Sequence, residues 1–152
     1  MINQTLNHTT TESLLVELLD SPWYATFILK AVRDEENNIV EFLWLWSNSK
    51  AEQILTHYKA TKGGKMTDIM QAVNISKDEK PLRWYAEVTE TGKPFEKEHV
   101  VTFDGNSQWF RERITKFGDG VMVMSEDITE QKINQIELQR KNTLLQGVLD
   151  ST

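Results

Sequence analysis

Three histidines, 23 acidic side chains and one glycine pair are where this chain of 152 residues offers material for chemistry. His8, His57 and His99 stand apart from one another, and none falls in HExxH or another spacing that sets two ligands on one side of a metal. The run Lys62-Gly63-Gly64-Lys65-Met66-Thr67 invites comparison with a loop that cradles phosphate. Such a loop needs a glycine five residues before its Gly-Lys pair and a hydroxyl directly after it. Those positions hold Lys59 and Met66, so the glycines read as an ordinary loop. No serine sits in a GxSxG elbow. Acid–base chemistry needs a carboxyl whose surroundings displace its proton affinity. Glu35 and Glu36 lie in a turn-rich stretch, and Glu96 and Glu98 flank Lys97 on a strand-like run, so all four read as solvated. The chain has no cysteine, which excludes thiolate nucleophiles, disulfides and thiolate metal sites. No recognisable catalytic constellation emerges.

The elements that position these residues follow from periodicity and turn chemistry. Leu14, Leu15, Leu18 and Leu19 recur at helical spacing, and Ser21-Pro22 ends the helix they predict. Residues 24–32 and 39–46 read as two strands around the turn RDEENN. In the second, Phe42, Trp44 and Trp46 are expected on one face, Leu43 and Leu45 on the other, with both faces covered. Residues 49–58, 66–73 and 78–91 read as short helices, the last stopped by Gly92 and Pro94. Strands are predicted at 95–103, 108–117 and 121–125, joined by Asp104-Gly105-Asn106 and Gly118-Asp119-Gly120. From Thr129 the chain is polar, Gln-rich and free of Gly and Pro as far as Gly147, which predicts a long helix capped by Asp127 with Glu130 three residues on. Helices and hairpins are segregated, so the fold class is α+β, with helices on one face of an antiparallel sheet.

Composition narrows the function. With 17 basic residues against 23 acidic ones, the net charge of −6 argues against nucleic-acid binding and against an anionic membrane surface. The longest apolar run near the middle, residues 42–46, is far short of a membrane span, and the N-terminus lacks the regions of a signal peptide. The expectation is a cytoplasmic protein. LLVELLDS at 14–21 returns as LLQGVLDS at 144–151, an offset suited to one domain, which points to a tandem array whose next domain starts near Leu144.

Two stretches carry a family resemblance. AVRDEENNIVEFLWLWSNSKAEQIL resembles the opening hairpin of a PAS domain, with Asn48 where that family ends its second strand. QWFRERITKFGDGVMVMSEDITEQK resembles the closing hairpin, ending in the Asp127-Ile128-Thr129 triplet that hands over to a signalling helix. Ser49 stands where proline is common, and residues 58–80 depart from the family pattern. The resemblance implies a five-stranded PAS fold over residues 12–128, preceded by a linker at 1–11 and followed by a signalling helix at 129–152.

By the same resemblance the chain is a non-catalytic sensory module of a bacterial signalling protein. The output domain is expected to be a histidine kinase of a two-component system, with a diguanylate cyclase as the alternative. Its partners would be a second copy of itself and the output domain of the same chain. Candidate pocket residues are Phe27, Trp44, Trp46, Ile54, Met66, Ile69, Met70, Trp84, Trp109, Met122 and Met124, with Trp109 expected on the inner face of its strand; apolar residues of this kind equally make a filled core, the commoner state. Asn48, Asp127, Ile128 and Thr129 are the structural and signalling residues. No cofactor is required. Haem, held by some family members through a central-helix histidine, would fall to His57, against the ordinary reading of a solvated side chain. Two rival classes are an enzyme or carrier, which needs polar groups converging on a cavity, and a dimerisation domain, which needs a closed core and an apolar outer face.

Overall fold

Residues that start and stop elements decide where the chain turns. Pro81 sits in the first turn of its helix, where its missing N–H costs nothing. Gly92 ends that helix at φ +74°, and its N–H donates to the Val88 carbonyl at 2.8 Å. In the RDEENN turn, Asn37 accepts φ +68°, and the Asp34 carboxylate takes the N–H groups of Glu36 and Asn38. The computed structural model describes residues 17, 19, 20, 22–57, 63–72, 80–103 and 105–150. The predicted linker at 1–11, most of the first leucine-rich helix and most of the first LLxxxLDS copy lie outside them.

The chain runs β1 (Ala25–Arg33), β2 (Ile39–Ser47), α1 (Ser49–His57), α2 (Met66–Ala72), α3 (Pro81–Thr91), β3 (Phe95–Phe103), β4 (Asn106–Lys116), β5 (Gly120–Asp127), α4 (Thr129–Asp150). The strands form one antiparallel sheet in the order β2-β1-β5-β4-β3. The fold class is α+β, as expected from the segregation of hairpins and helices. Gly120 lets β5 lie against β1: a Cβ there would sit 1.9 Å from the Leu29 carbonyl oxygen, so no other residue fits.

The core forms between one sheet face and α1, α2 and α3. Leu29, Phe42, Trp44, Ile114, Val121 and Val123 supply the sheet side, and Ala51, Met66, Tyr85 and Val88 the helix side. Strand alternation sends every second residue to the other face. This sets aside several sequence expectations. In β4, Phe110, Glu112 and Ile114 are buried, so Trp109 lies on the outer face with Arg111 and Arg113. In β5 the inward residues are Val121, Val123 and Ser125, which turns Met122 and Met124 outward. In β2, Trp46 pairs with Ile28 and Trp44 with Leu29, so Leu45 is one extra residue. That bulge reverses the alternation and puts Trp46 on the face opposite Trp44.

The glycine pair at 63–64 extends the sheet edge rather than forming a binding loop. The Gly63 N–H donates to the Trp44 carbonyl at 2.8 Å, the Trp44 N–H donates to Gly64 at 3.1 Å, and Leu43 bridges Lys65. α4 leaves the sheet as an arm of about 33 Å at 1.5 Å per residue, with no buried residue along its length.

Candidate functional site

A cavity of about 70 Å³ lies between the sheet and the short helices. Its walls are mostly apolar: Ala25 and Phe27 from β1, Ala51 and Ile54 from α1, Met66, Ile69 and Met70 from α2, and Val101 and Phe110 from β3 and β4. Of the pocket residues expected from sequence, Phe27, Ile54, Met66, Ile69 and Met70 line it. Trp44 is buried in the neighbouring core, and Trp84 packs beside the cavity with its ring 5.4 Å from Phe95 and 6.1 Å from His99. Trp46, Trp109, Met122 and Met124 lie on the other face of the sheet.

Four polar side chains from four elements also line the cavity: Tyr85 of α3, His99 of β3, Glu112 of β4 and Ser125 of β5. Polar groups from distant parts of the sequence therefore converge on this cavity. His99 Nε2 lies 3.3 Å from Glu112 Oε1, and their side chains are only 3% and 10% exposed. Glu112 Oε2 is sealed from solvent and has no hydrogen-bond partner among the described residues. Burial, and secondarily the charge of Glu112, push the Tyr85 phenol well above its ordinary value, so it keeps its proton at neutral pH. Its ring meets Phe42 edge-on at 5.7 Å. Glu112 had a legible signal: it shares its strand phase with Phe110 and Ile114, while Arg111 and Arg113 share the phase of Trp109. His99 had less, because its neighbours Glu98 and Val100 are unalike.

Asn48 does far more than cap α1. Its Oδ1 accepts from the Ala51 N–H and from the Thr26 N–H, each at 3.0 Å. Its Nδ2 donates to the carbonyls of Leu19 at 2.9 Å and Tyr24 at 2.8 Å. One buried amide thus ties the approach to β1, β1 itself and the first turn of α1 together.

The closing triplet fixes the root of α4. Asp127 Oδ1 accepts from the Thr129 N–H at 3.0 Å and from the Thr129 hydroxyl at 2.6 Å, which caps the helix as the sequence predicted. Thr129 Oγ1 in turn accepts the Trp109 N–H at 2.9 Å, and the Ile128 N–H donates to the Trp109 carbonyl at 2.9 Å. Ile128 is itself buried. On the outer face, Lys132 of α4 reaches Glu98 of β3 at 2.6 Å and lies 5.2 Å over the Trp109 ring. Arg111 bridges Glu98 at 3.0 Å and Glu126 at 3.4 Å.

Among the described residues no group of three His, Cys, Asp or Glu side chains is arranged to hold a metal, and no helix is long and apolar enough to cross a membrane. The side chain of His57, the haem candidate, lies outside the described residues.

Strand order, helix placement and the strand-to-helix handover agree with the architecture that the PAS resemblance implies. No protein-family model matches the chain and no curated protein matches it either. Among solved structures, the PAS domain of BvgS from Bordetella pertussis is similar over 93% of this chain and 96% of that chain, at 19% sequence identity and a TM-score of 0.45.

Proposed function

We propose that this chain is a non-catalytic sensory module: a small ligand occupies the cavity, and α4 relays its presence to an output domain. One observation carries the reading. Phe110 and Trp109 are consecutive in β4; the Phe110 side chain forms part of the cavity wall, while the Trp109 backbone holds Ile128 and Thr129 at the root of α4. A ligand that repositions β4 therefore acts on the helix through one peptide unit. Only a state-dependent difference in binding can shift such an equilibrium.

The cavity's size favours binding over turnover. About 70 Å³ admits a handful of heavy atoms, which leaves little room for a substrate together with an attacking group. The exposed apolar residues of α4, among them Leu138, Leu144, Leu145, Val148 and Leu149, support pairing with a second copy of the chain. The PAS resemblance supports a cytoplasmic histidine kinase as the output, with a diguanylate cyclase second.

The test has two parts. Native mass and absorbance spectra of the purified chain are expected to show a small co-purifying molecule. Removing and restoring that molecule is expected to change amide hydrogen exchange in the first turns of α4. A chain that returns only its own mass, or whose α4 exchange ignores occupancy, overturns the proposal.

A further inference from the structure

We infer that the cavity selects a compact, mostly apolar molecule carrying one N–H or O–H donor, with the Glu112 carboxylate as its acceptor. This rests on the reading of the cavity as a ligand site. Three observations carry the choice of ligand chemistry.

The first is the unequal state of the two Glu112 oxygens. Oε1 lies 3.3 Å from His99 Nε2, whereas Oε2 is buried with no partner among the described residues. An ionised carboxylate accepts hydrogen bonds and donates none, and a buried acceptor left unmatched is costly. A donor on the ligand satisfies it. The second is the charge of the lining. Among the described residues no Lys or Arg side chain lines the cavity, and Glu112 is the one carboxylate. An anionic ligand would therefore meet repulsion without a compensating cation.

The third is shape. The remaining walls, Phe27, Ile54, Met66, Ile69, Met70 and Val101 among them, are aliphatic or aromatic, so the body of the ligand must be apolar. The volume of about 70 Å³ limits that body to a small ring or short branched chain. Met66 and Met70 are unbranched and polarizable, which lets one wall adapt to a modest range of outlines.

A matched pair of probes tests this on the whole chain. Pyrrole and furan are five-membered aromatic rings of nearly equal size, and only pyrrole presents an N–H donor. In NMR titrations, pyrrole is expected to shift resonances of the cavity residues and to bind at least about tenfold more tightly than furan, the usual scale for a hydrogen bond to a charged group. Glu112→Met should bring the two affinities together while both rings still bind. Equal affinities in the wild-type chain would overturn the donor inference and leave the ligand site standing. Isobutyrate binding as tightly as pyrrole would overturn it too. If neither ring binds, the ligand site itself fails, and the inference with it. The wild-type ratio decides the question even if Glu112→Met does not fold.

Discussion

β3 and β4 set a basic side chain against an acidic one on both of their faces, one residue apart. Inside, His99 faces Glu112; outside, Glu98 meets Arg111 at 3.0 Å, and the pair extends to Glu126 and Lys132. The chemistry is alike and the surroundings are not. A buried pair has lost its water, and its mutual attraction seldom returns the full desolvation cost. A pair at the surface keeps its water and contributes little either way. The inner pair is therefore poorly explained by stability, and the ligand proposed above would account for it. The outer network ties α4 to β3 through the partly exposed Lys132–Glu98 pair.

The strongest way to break this contrast is to strand the inner charge. His99→Leu should destabilise the chain by about 3–5 kcal/mol, because Glu112 is left buried without its partner. Adding Glu112→Met should recover most of that loss, as measured by urea unfolding. A double variant no more stable than the single one would show that the pair is not the source of the cost. Asn48→Ala extends the comparison to a neutral buried group. With Thr26, Leu19 and Tyr24 losing their partners together, a loss of about 2–3 kcal/mol is expected, larger than for a lone helix cap.

Trp109→Ala probes the outer face. A fully buried tryptophan would cost about 3–5 kcal/mol, but half-buried under Lys132 it should cost about 1–2 kcal/mol. A loss in the upper range would return Trp109 to the core. The smallest effect belongs to Lys132→Met, and pH and salt expose it. The hydrogen bond from Lys132, followed by that from Arg111, holds the Glu98 carboxyl below its ordinary value of 4.5. A lowered value in the folded state means that the contribution is complete above pH 4.5 and is lost as pH falls below it through the depressed value. The difference between wild type and Lys132→Met should therefore be present at neutral pH, shrink on acidification, and fade in concentrated salt. A difference that grows in acid would assign Lys132 another partner.

Boundaries were legible in the sequence because punctuation is local. Pro81, Gly92, Asp127 and the two glycine-bearing hairpin turns each act within a few residues of themselves. Facing was harder, because it depends on partners far along the chain. Nothing near Trp46 announces that Leu45 is an extra residue relative to Ile28 and Leu29; the bulge exists only in the pairing. Trp109 was misplaced for a different reason: size outweighed phase, although Arg111 and Arg113 at the same phase marked that face as outer. The polar wall of the cavity stayed hidden because Tyr85, His99, Glu112 and Ser125 come from four elements. Glu112 among charged neighbours looks solvated until the sheet is assembled. Asn48 was visible as the residue that ends the second strand, but its bonds to Thr26, Leu19 and Tyr24 required the chain to fold back on it.

The glycine pair beside β2 bears on a hazard of another kind. A sheet's outermost strand offers bare N–H and C=O groups on which foreign chains can grow, and β2 is rich in the aromatic and branched residues that favour such growth. At Trp44 those groups are already taken by Gly63 and Gly64, backbone to backbone. The chain in effect supplies its own short terminating strand, which blocks edge-on stacking at the point where β2 is most apolar. At the opposite edge, β3 carries Glu96, Lys97 and Glu98 just after its first residue, Phe95, and these charges repel or solvate an incoming strand. Protected at both ends in different ways, the sheet can carry a sticky strand without inviting fibrils.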